Sequence, residues 1–535
     1  MSQLAYRQVP PLFDILLHVI HALVLFVAVQ MALPAVPLLP YEQIKVEQFA
    51  PASAELLASF RDINVTSVNT ADGAIWRKAE RGLTRESNAT GAWERGRVFH
   101  SRRYLPCDEV LKIRAEGNGV WVLTSCGVSH LHFESIRLQE KAKRFEERVR
   151  ARHDRYGMVA DSRLPQPGDV AKNQLWSNDN DGLWTAMYVA AKLFEYKQTK
   201  SARALAAAEK SIRAMLYLEK ITGIPGFPAR SYRLADEERP TDGFWHWSPD
   251  RKVEWKADTS SDEIVGHFLV FALAWDYLPK GALRDDAQAT CARMMDYILN
   301  NGYNLIDVTG KPTRWGRWSP AYFDGEGRGD SPLNALELVS FLRTAHHVTG
   351  RATYEEELKK LEGLGYFRVL SEVMERQEEL NYSDEELAML SFYPALLYER
   401  NPVYRAALLK GLDGWWKNMQ RENNPLWIAI YALGRPVQEQ MLRDAVTTLQ
   451  RMPMDLTNWR IENSWRKDLP AMEKTDRAGK AQTTVLLAPD ERAVMKWNAN
   501  PFVLDGGNGG RSEDDGAAFL IAYWIGCEHG FWKER

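Results

Sequence analysis

The chain has 535 residues, of which 45% are hydrophobic, so it can bury a sizeable core. Its formal net charge is -3, and the Lys and Arg residues are dispersed without a basic tail. This pattern argues against nucleic acid as a partner. Many of the 19 Trp residues stand beside Gly, Pro, Asp and Asn. They fit either ordinary core positions or aromatic platforms in a polar, sugar-binding cleft.

The N-terminal segment bears on the compartment. Residues 15–33 read ILLHVIHALVLFVAVQMAL, which is 19 residues without a formal charge. Such a helix covers roughly 28 Å, close to the thickness of a bilayer core. With Arg7 before it, we predict a transmembrane anchor within 1–33, with the main domain outside the cytoplasm. A cleaved signal peptide, which gives a secreted protein, and a buried helix of a cytosolic protein are the alternatives.

Residues 34–60 are rich in Pro and Ala and predict a stalk. In the next segment, 61–133, the pair Ile75-Trp76 recurs as Val120-Trp121, 45 residues later, and Gly82 recurs as Gly127 at the same offset. That period with Trp and Gly landmarks is the size of a propeller blade. Two copies cannot close a propeller, so we expect a small β-module of blade-like hairpins. Its Cys107 and Cys126 are either a disulfide, in an oxidising compartment, or free thiols.

The segment 134–164 is highly charged and predicts a solvated connecting helix. The remainder, 165–535, has few strand signals and many amphipathic helical runs. The fold class expected is therefore mainly α: an α/α toroid of about six helical hairpins, whose long polar loops gather at one end as a cleft. The predicted helices cover 183–198, 201–221, 262–277, 284–300, 333–348, 354–364, 384–399, 404–420, 427–433, 437–449 and 517–532.

The first motif that suggests chemistry is WSNDNDGLW, residues 176–184. Asp181 is placed to cap the following helix, and Asp179 can bind the same helix end. Capping does not require Trp176 and Trp184 as well. A polar cluster flanked by Trp at a helix start is also typical of a sugar subsite.

The second motif is GIPGFPARSY, residues 223–232, a stiff loop that ends in Arg230 and Tyr232. An Arg on such a loop can hold a carboxylate or a sulfate. The aromatic strip FWHW follows and contributes Trp247.

The third motif, DTSSDEIVGH at 258–267, has the strongest acid–base character. Asp262 and Glu263 fall in the first turn of a helix, where they also complement the helix dipole. Glu263 and His267 are four residues apart and share a face. They could act as a general acid or base with its orienting partner, or as two metal ligands. No third ligand is evident, so neither a metal nor a cofactor is predicted.

The fourth motif, TRWGRWSP at 313–320, brings Arg314 and Trp315 into one loop, which suits a polar ring ligand. NYSDEE at 381–386 is most simply a capping box. The glycine-rich run at 505–511 lacks the Lys-Ser/Thr of a phosphate loop.

Together, WSNDNDGLWTAMYVAA, TGIPGFPARSY, DTSSDEIVGH, KPTRWGRWSP and LDGGNGGRSEDDG resemble a bacterial family of exported proteins. In that family, regulator-type propeller blades precede a six-hairpin α/α toroid, and the resemblance covers about residues 110–530. The family implies the architecture but no reaction. Toroids of this shape in general resemble glycoside hydrolases, polysaccharide lyases and sugar epimerases.

Three functions remain open, each with a polysaccharide or oligosaccharide ligand. A glycoside hydrolase would use two carboxylates from the first and third motifs, with Glu263 as proton donor and Asp181 or Asp262 as base or nucleophile. A lyase or uronate epimerase would rely on Arg230 with a Tyr or His base. A non-catalytic glycan-binding or scaffold protein would need neither. The base candidates of the second hypothesis are Tyr232, His246 and His267.

Overall fold

The computed structural model describes residues 35–375 and 380–535. The predicted anchor or signal at 15–33 lies outside these residues. Within the part of the chain described, no helix is both long and apolar enough to cross a membrane.

The N-terminal region is built from two four-stranded antiparallel sheets. Their inner faces share one apolar core, which includes Trp76, Phe99, Val120 and Leu131. The elements are β1 (Val36–Leu38), β2 (Tyr41–Phe49), α1 (Ala54–Ala58), β3 (Ser67–Asn69), β4 (Ile75–Lys78), β5 (Leu83–Glu86), α2 (Ala92–Arg95), β6 (Gly96–Phe99), β7 (Val110–Glu116), β8 (Gly119–Thr124) and β9 (Gly127–Ile136).

The strand orders of the two sheets are β2-β9-β8-β7 and β3-β4-β5-β6. The two blade-like hairpins, β8–β9 and β4–β5, therefore lie one in each sheet. A disulfide joins Cys107 to Cys126, one of the two states left open by the sequence.

The stalk expected at 34–60 is not what the structure has there. Strand β2 pairs with β9 along its whole length, from Tyr41↔Ile136 to Phe49↔Val128. Strand β1 pairs in parallel with a strand at the C-terminus, Val36↔Trp532. The alternating sequence YEQIKVEQF explains the difference, because Ile44 and Val46 pack on the shared core while charged residues face outward.

The rest of the chain is mainly helical. Its helices are α3 (Leu138–Arg152), α4 (Asp181–Thr199), α5 (Ala202–Lys220), α6 (Ser261–Tyr277), α7 (Ala282–Asn300), α8 (Pro320–Asp324), α9 (Ser331–Thr349), α10 (Ala352–Gly363), α11 (Tyr366–Leu370), α12 (Tyr382–Tyr398), α13 (Pro402–Met419), α14 (Pro425–Gly434), α15 (Glu439–Arg451) and α16 (Ala517–Glu528).

Short strands lie in the loops between these helices: β10 (Asp154–Arg155), β11 (Met158–Val159), β12 (Asp161–Arg163), β13 (Gln174–Trp176), β14 (Ser231–Leu234), β15 (Trp245–Trp247), β16 (Val253–Lys256), β17 (Asn304–Ile306), β18 (Pro312–Arg317), β19 (Ile461–Glu462), β20 (Asp505–Gly506), β21 (Ser512–Glu513) and β22 (Trp532–Glu534).

Among the described residues, six helices form a closed inner ring in the order α4, α6, α9, α12, α14 and α16, with α16 back in contact with α4. Each inner helix also packs on an outer one: α5, α7, α10, α13, α15 and α3 respectively. This is the α/α toroid. Inner helices are buried nearly all round, as α6 is from Ile264 to Ala274, whereas outer helices such as α15 bury one face only.

Helix α3 corrects the prediction of a solvated connecting helix at 134–164. It is the outer partner of α16 and buries Leu138, Ala142, Phe145 and Val149. The many charges of LQEKAKRFEERVRAR occupy its other faces, so its small apolar stripe was overlooked.

Candidate functional site

The loop lengths indicate which end of the toroid carries the candidate site. Five of the six outer helices follow, after a short turn, the inner helix on which they pack and return the chain antiparallel to it, so the inner helices all run in one direction. Short turns follow their C-terminal ends, while long segments such as 221–260, 301–330 and 452–516 precede the next N-termini. These N-terminal ends with their long loops form the mouth of the toroid. Long loops in a compact domain are usually functional.

A cavity of about 1100 Å³ opens at the mouth, over the first turns of α6, α9 and α12. We call it the central cavity. Carboxylates come to it from all three helices, namely Asp262, Asp330 and Asp384, and Trp315 and Tyr322 add aromatic surface. The parallel helix N-termini favour negative charge here. The arrangement suits a polar ligand with an apolar face, and supplies groups for proton transfer or for stabilising positive charge.

Asp262 lies within a network that joins three of the sequence motifs. Asn180 donates from Nδ2 to Asp262 Oδ1 at 3.2 Å, and its own Oδ1 accepts from Arg230 Nη2 at 2.9 Å. Arg230 also donates to the backbone carbonyls of Asp179 and Asp258, at 2.9 and 3.3 Å. The first, second and third motifs therefore meet at one end of the domain, and Arg230 orients Asp262 through Asn180.

Glu263 does not reach the central cavity. It is fully buried at the crossing of α4 and α6, where its Oε1 accepts from the Gly182 N–H at 3.1 Å. A Cβ at Gly182 would lie 2.0 Å from Glu263 Oε2, so the two helices meet closely there. Burial and the nearby Asp181 raise the pKa of Glu263 well above its ordinary value. It is a buried acid, whose surroundings favour the protonated form, and it ties two inner helices together.

Two further candidates are equally buried. His267 has both ring nitrogens on backbone carbonyls, those of Glu263 at 2.6 Å and Met215 at 3.2 Å. Asp181 accepts from the Asn178 N–H at 2.9 Å and from the Ser231 hydroxyl, and burial raises its pKa to about 7. Neither of them lines the central cavity.

The predicted ligand-binding residues are distributed around the mouth. Trp315 lines the central cavity and is 48% exposed. Arg314 lies beside it, with its backbone N–H donating to Asp258 Oδ1 at 2.9 Å. Trp184 is covered by Lys496, whose Nζ lies 4.0 Å from the ring centre. The Arg163 guanidinium lies over the Trp176 ring, with its Cζ 3.7 Å from the ring centre.

The remaining predicted residues lie away from the cavity. Asp179 pairs with Lys256. Trp247 is exposed on the edge strand β15. Tyr232 packs edge-on against Tyr217 of α5.

The structure adds two buried acids that the sequence interpretation did not select: Glu386, which it left within a capping box, and Glu337, which it did not consider. Glu386, on α12, is buried, and its Oε1 has no hydrogen-bond partner among the described residues. Burial, and then the negative charge of Asp262, raise its pKa to about 8. Glu337, on α9, accepts from Trp318 Nε1 at 2.7 Å, and burial raises its pKa strongly. The signal was present in NYSDEE, which carries three acids where a capping box uses one.

The comparisons with known proteins are sparse. No protein-family model and no curated protein matches the chain. A family 76 glycoside hydrolase from a bovine Bacteroides thetaiotaomicron strain aligns over 92% of this chain and 99% of its own, with 10% identity and a TM-score of 0.40.

The cellobiose 2-epimerase of Bacillus thermoamylovorans aligns over 72% of this chain and 98% of its own, with 10% identity and a TM-score of 0.36. The cellulase Cel9M of C. cellulolyticum aligns over 73% and 99%, with 10% identity and a TM-score of 0.37. At these values the likenesses support no conclusion about activity. Nothing among them supports a relation between the β-module and propeller blades.

Proposed function

We propose that the protein is a carbohydrate-active enzyme, and specifically a glycoside hydrolase, whose active site is the central cavity. The single observation that carries the proposal is the meeting of Asp262, Asp330 and Asp384 with Trp315 in one open cavity. Sugar rings offer CH-rich faces to aromatic side chains, and the transition state of glycoside hydrolysis carries positive charge that carboxylates stabilise.

The proposed roles follow from position at the cavity and from protonation. Asp262 is the base or nucleophile, because it lines the cavity and is held by Asn180. Glu386 is buried and does not itself line the cavity, but it directly precedes the cavity-lining Leu387 on α12. We assign it as the proton donor because its Oε1 has no hydrogen-bond partner among the described residues, and because burial and then the charge of Asp262 raise its pKa to about 8. Glu263 and Asp181, which the sequence favoured, take a positioning role in the first turns of α6 and α4.

The lyase or epimerase hypothesis has less support. Of its three candidate bases, His267 and Tyr232 are engaged in packing and backbone contacts outside the central cavity, and His246 packs against Trp255, also outside it. Its candidate carboxylate-binding group, Arg230, already donates to Asn180, Asp179 and Asp258. We also propose an extracytoplasmic location for the toroid, with which the Cys107–Cys126 disulfide agrees.

The test is incubation of the purified protein with a panel of neutral and uronate glycans, following reducing ends and ultraviolet absorbance together. New reducing ends without absorbance support hydrolysis. Absorbing products reveal an unsaturated uronate and would replace the hydrolase with a lyase. Saturable binding without turnover would make the cavity a glycan-binding site, and neither binding nor turnover on any glycan would overturn the proposal.

A further inference from the structure

The outer face of the sheet β2-β9-β8-β7 carries a group of side chains that the toroid does not use. Along β9, Leu131 points into the apolar core, so His130 and His132 both point outward. The ladder sets Glu47 of β2 directly opposite His130. One ligand atom from each of Glu47, His130 and His132 lies within 4.8 Å of the others.

We propose that Glu47, His130 and His132 form a binding site for a divalent transition metal ion, Zn²⁺ in the first instance, with water completing its coordination. Two imidazoles and one carboxylate are a ligand set that zinc accepts. Tetrahedral zinc requires its ligand atoms to be about 3.3 Å apart, so small rotations of the side chains suffice to close the site.

The surroundings of His130 prepare it for this role. Its Nδ1 lies 3.7 Å from Glu47 Oε2, on the side of the site, while its Nε2 lies 3.1 Å from Glu116 Oε2. A metal-bound histidine commonly gives its other ring N–H to a carboxylate, which fixes the ring and its tautomer. Glu116 is itself held, since it accepts from Trp121 Nε1 at 2.7 Å. Trp121 in turn stacks on the His130 ring at 4.2 Å and 3°.

A polar atom without a partner points to a missing ligand. His132 Nδ1 is a buried atom that makes no hydrogen bond among the described residues, and the contact of His130 Nε2 with Glu116 at 3.1 Å lacks hydrogen-bond geometry. Leaving such atoms unpaired is costly, and an ion that draws the site together would align His130 with Glu116.

Lys45 competes for this site, since its Nζ pairs with Glu47 at 3.2 Å. Its side chain is 48% exposed, so it can turn into solvent when the metal binds. The metal would then link β2 to β9 across the edge of the sheet.

The experiment is titration of the full-length protein, stripped of metal with a chelator and dialysed, with ZnCl₂ in an isothermal calorimeter. We expect saturable binding of one zinc per chain, weakened by tenfold or more in His132→Ala and by about tenfold in Glu116→Gln. His346→Ala is the matched control. His346 is also partly exposed and lies 3.7 Å from the carboxylate of Glu355, but it has no second ligand group around it among the described residues.

No saturable zinc binding by the wild-type protein would overturn the proposal. So would equal affinity in His132→Ala, or an equal loss in His346→Ala. If His132→Ala fails to fold by circular dichroism, the exposed Glu47→Gln decides in the same way. Visible absorption after addition of CoCl₂, present in the wild type and absent from these variants, gives an independent readout of the ligand set.

Discussion

Asp490 joins the β-module to the toroid, and its replacement by Asn should weaken that junction. Its carboxylate accepts from Arg97 of β6 at 2.7 Å and from Arg451 of α15 at 2.9 and 2.7 Å, all buried. These two arginines lower the pKa of Asp490 from 3.8 to about 2, against the effect of burial. The lowering corresponds to about 2 kcal/mol of stability.

Because the folded-state pKa is lowered, that contribution is present above pH 3.8 and is lost as the pH falls towards 2. Asp490→Asn removes it at neutral pH and leaves two buried guanidinium groups less well paired, so we expect a loss of about 2–5 kcal/mol. The measurement is guanidinium unfolding followed by Trp fluorescence at neutral pH. Asp468→Asn is the control, since Asp468 also pairs with an arginine, Arg466 at 2.7 Å, but is 64% exposed. An equal cost in the two variants would refute the reasoning.

Three further predictions concern packing, the disulfide and pH. Gly266→Ala should lower the free energy of unfolding by about 1–3 kcal/mol, because the added Cβ would lie 2.9 Å from Leu183 Cα. Gly363→Ala, whose added Cβ would meet nothing within 4 Å, should not lower it. Replacing Cys107 and Cys126 together by Ser should cost about 3 kcal/mol, since they close a loop with a sequence separation of 19; unchanged stability would contradict the pairing. Activity on the cleaved glycan should fall as the pH rises through about 8, where Glu386 loses its proton. Glu386→Gln should lower the rate strongly and abolish this decrease of activity with pH. A pH profile that is unchanged in the variant would remove Glu386 as the donor.

The toroid could be predicted because its helices are encoded locally. All eleven predicted runs are helices in the structure, most of them within two residues of their observed ends, because apolar periodicity and turn residues such as Gly350 mark each one. The last run extended too far, since Trp532 belongs to β22. Strand β2 and the role of α3 could not be predicted in this way. Both depend on partners far along the chain, β9 and α16, that close the sheet and the ring.

The candidate site shows a different limit. Asp262 and Glu263 are adjacent, about 100° apart on the helix, and the sequence does not say which of them faces the axis of the ring. The structure sends Asp262 to the cavity and Glu263 to the α4–α6 contact. Asp384 resembled part of a capping box because capping acids and acids that line a cavity occupy the same first turn of a helix. Only the ring geometry, with its parallel inner helices, distinguishes them.

The most direct test of the central claim is the turnover number of Asp262→Asn on whichever glycan the wild-type protein cleaves, with Glu263→Gln measured beside it. Asp262 lines the central cavity, whereas the neighbouring Glu263 is buried and its pKa is raised well above its ordinary value, which favours the neutral form that an amide resembles. We predict a loss of about a thousandfold or more for Asp262→Asn with glycan binding retained, and turnover within about tenfold of wild type for Glu263→Gln. Full turnover in Asp262→Asn, or loss confined to Glu263→Gln, would contradict the account.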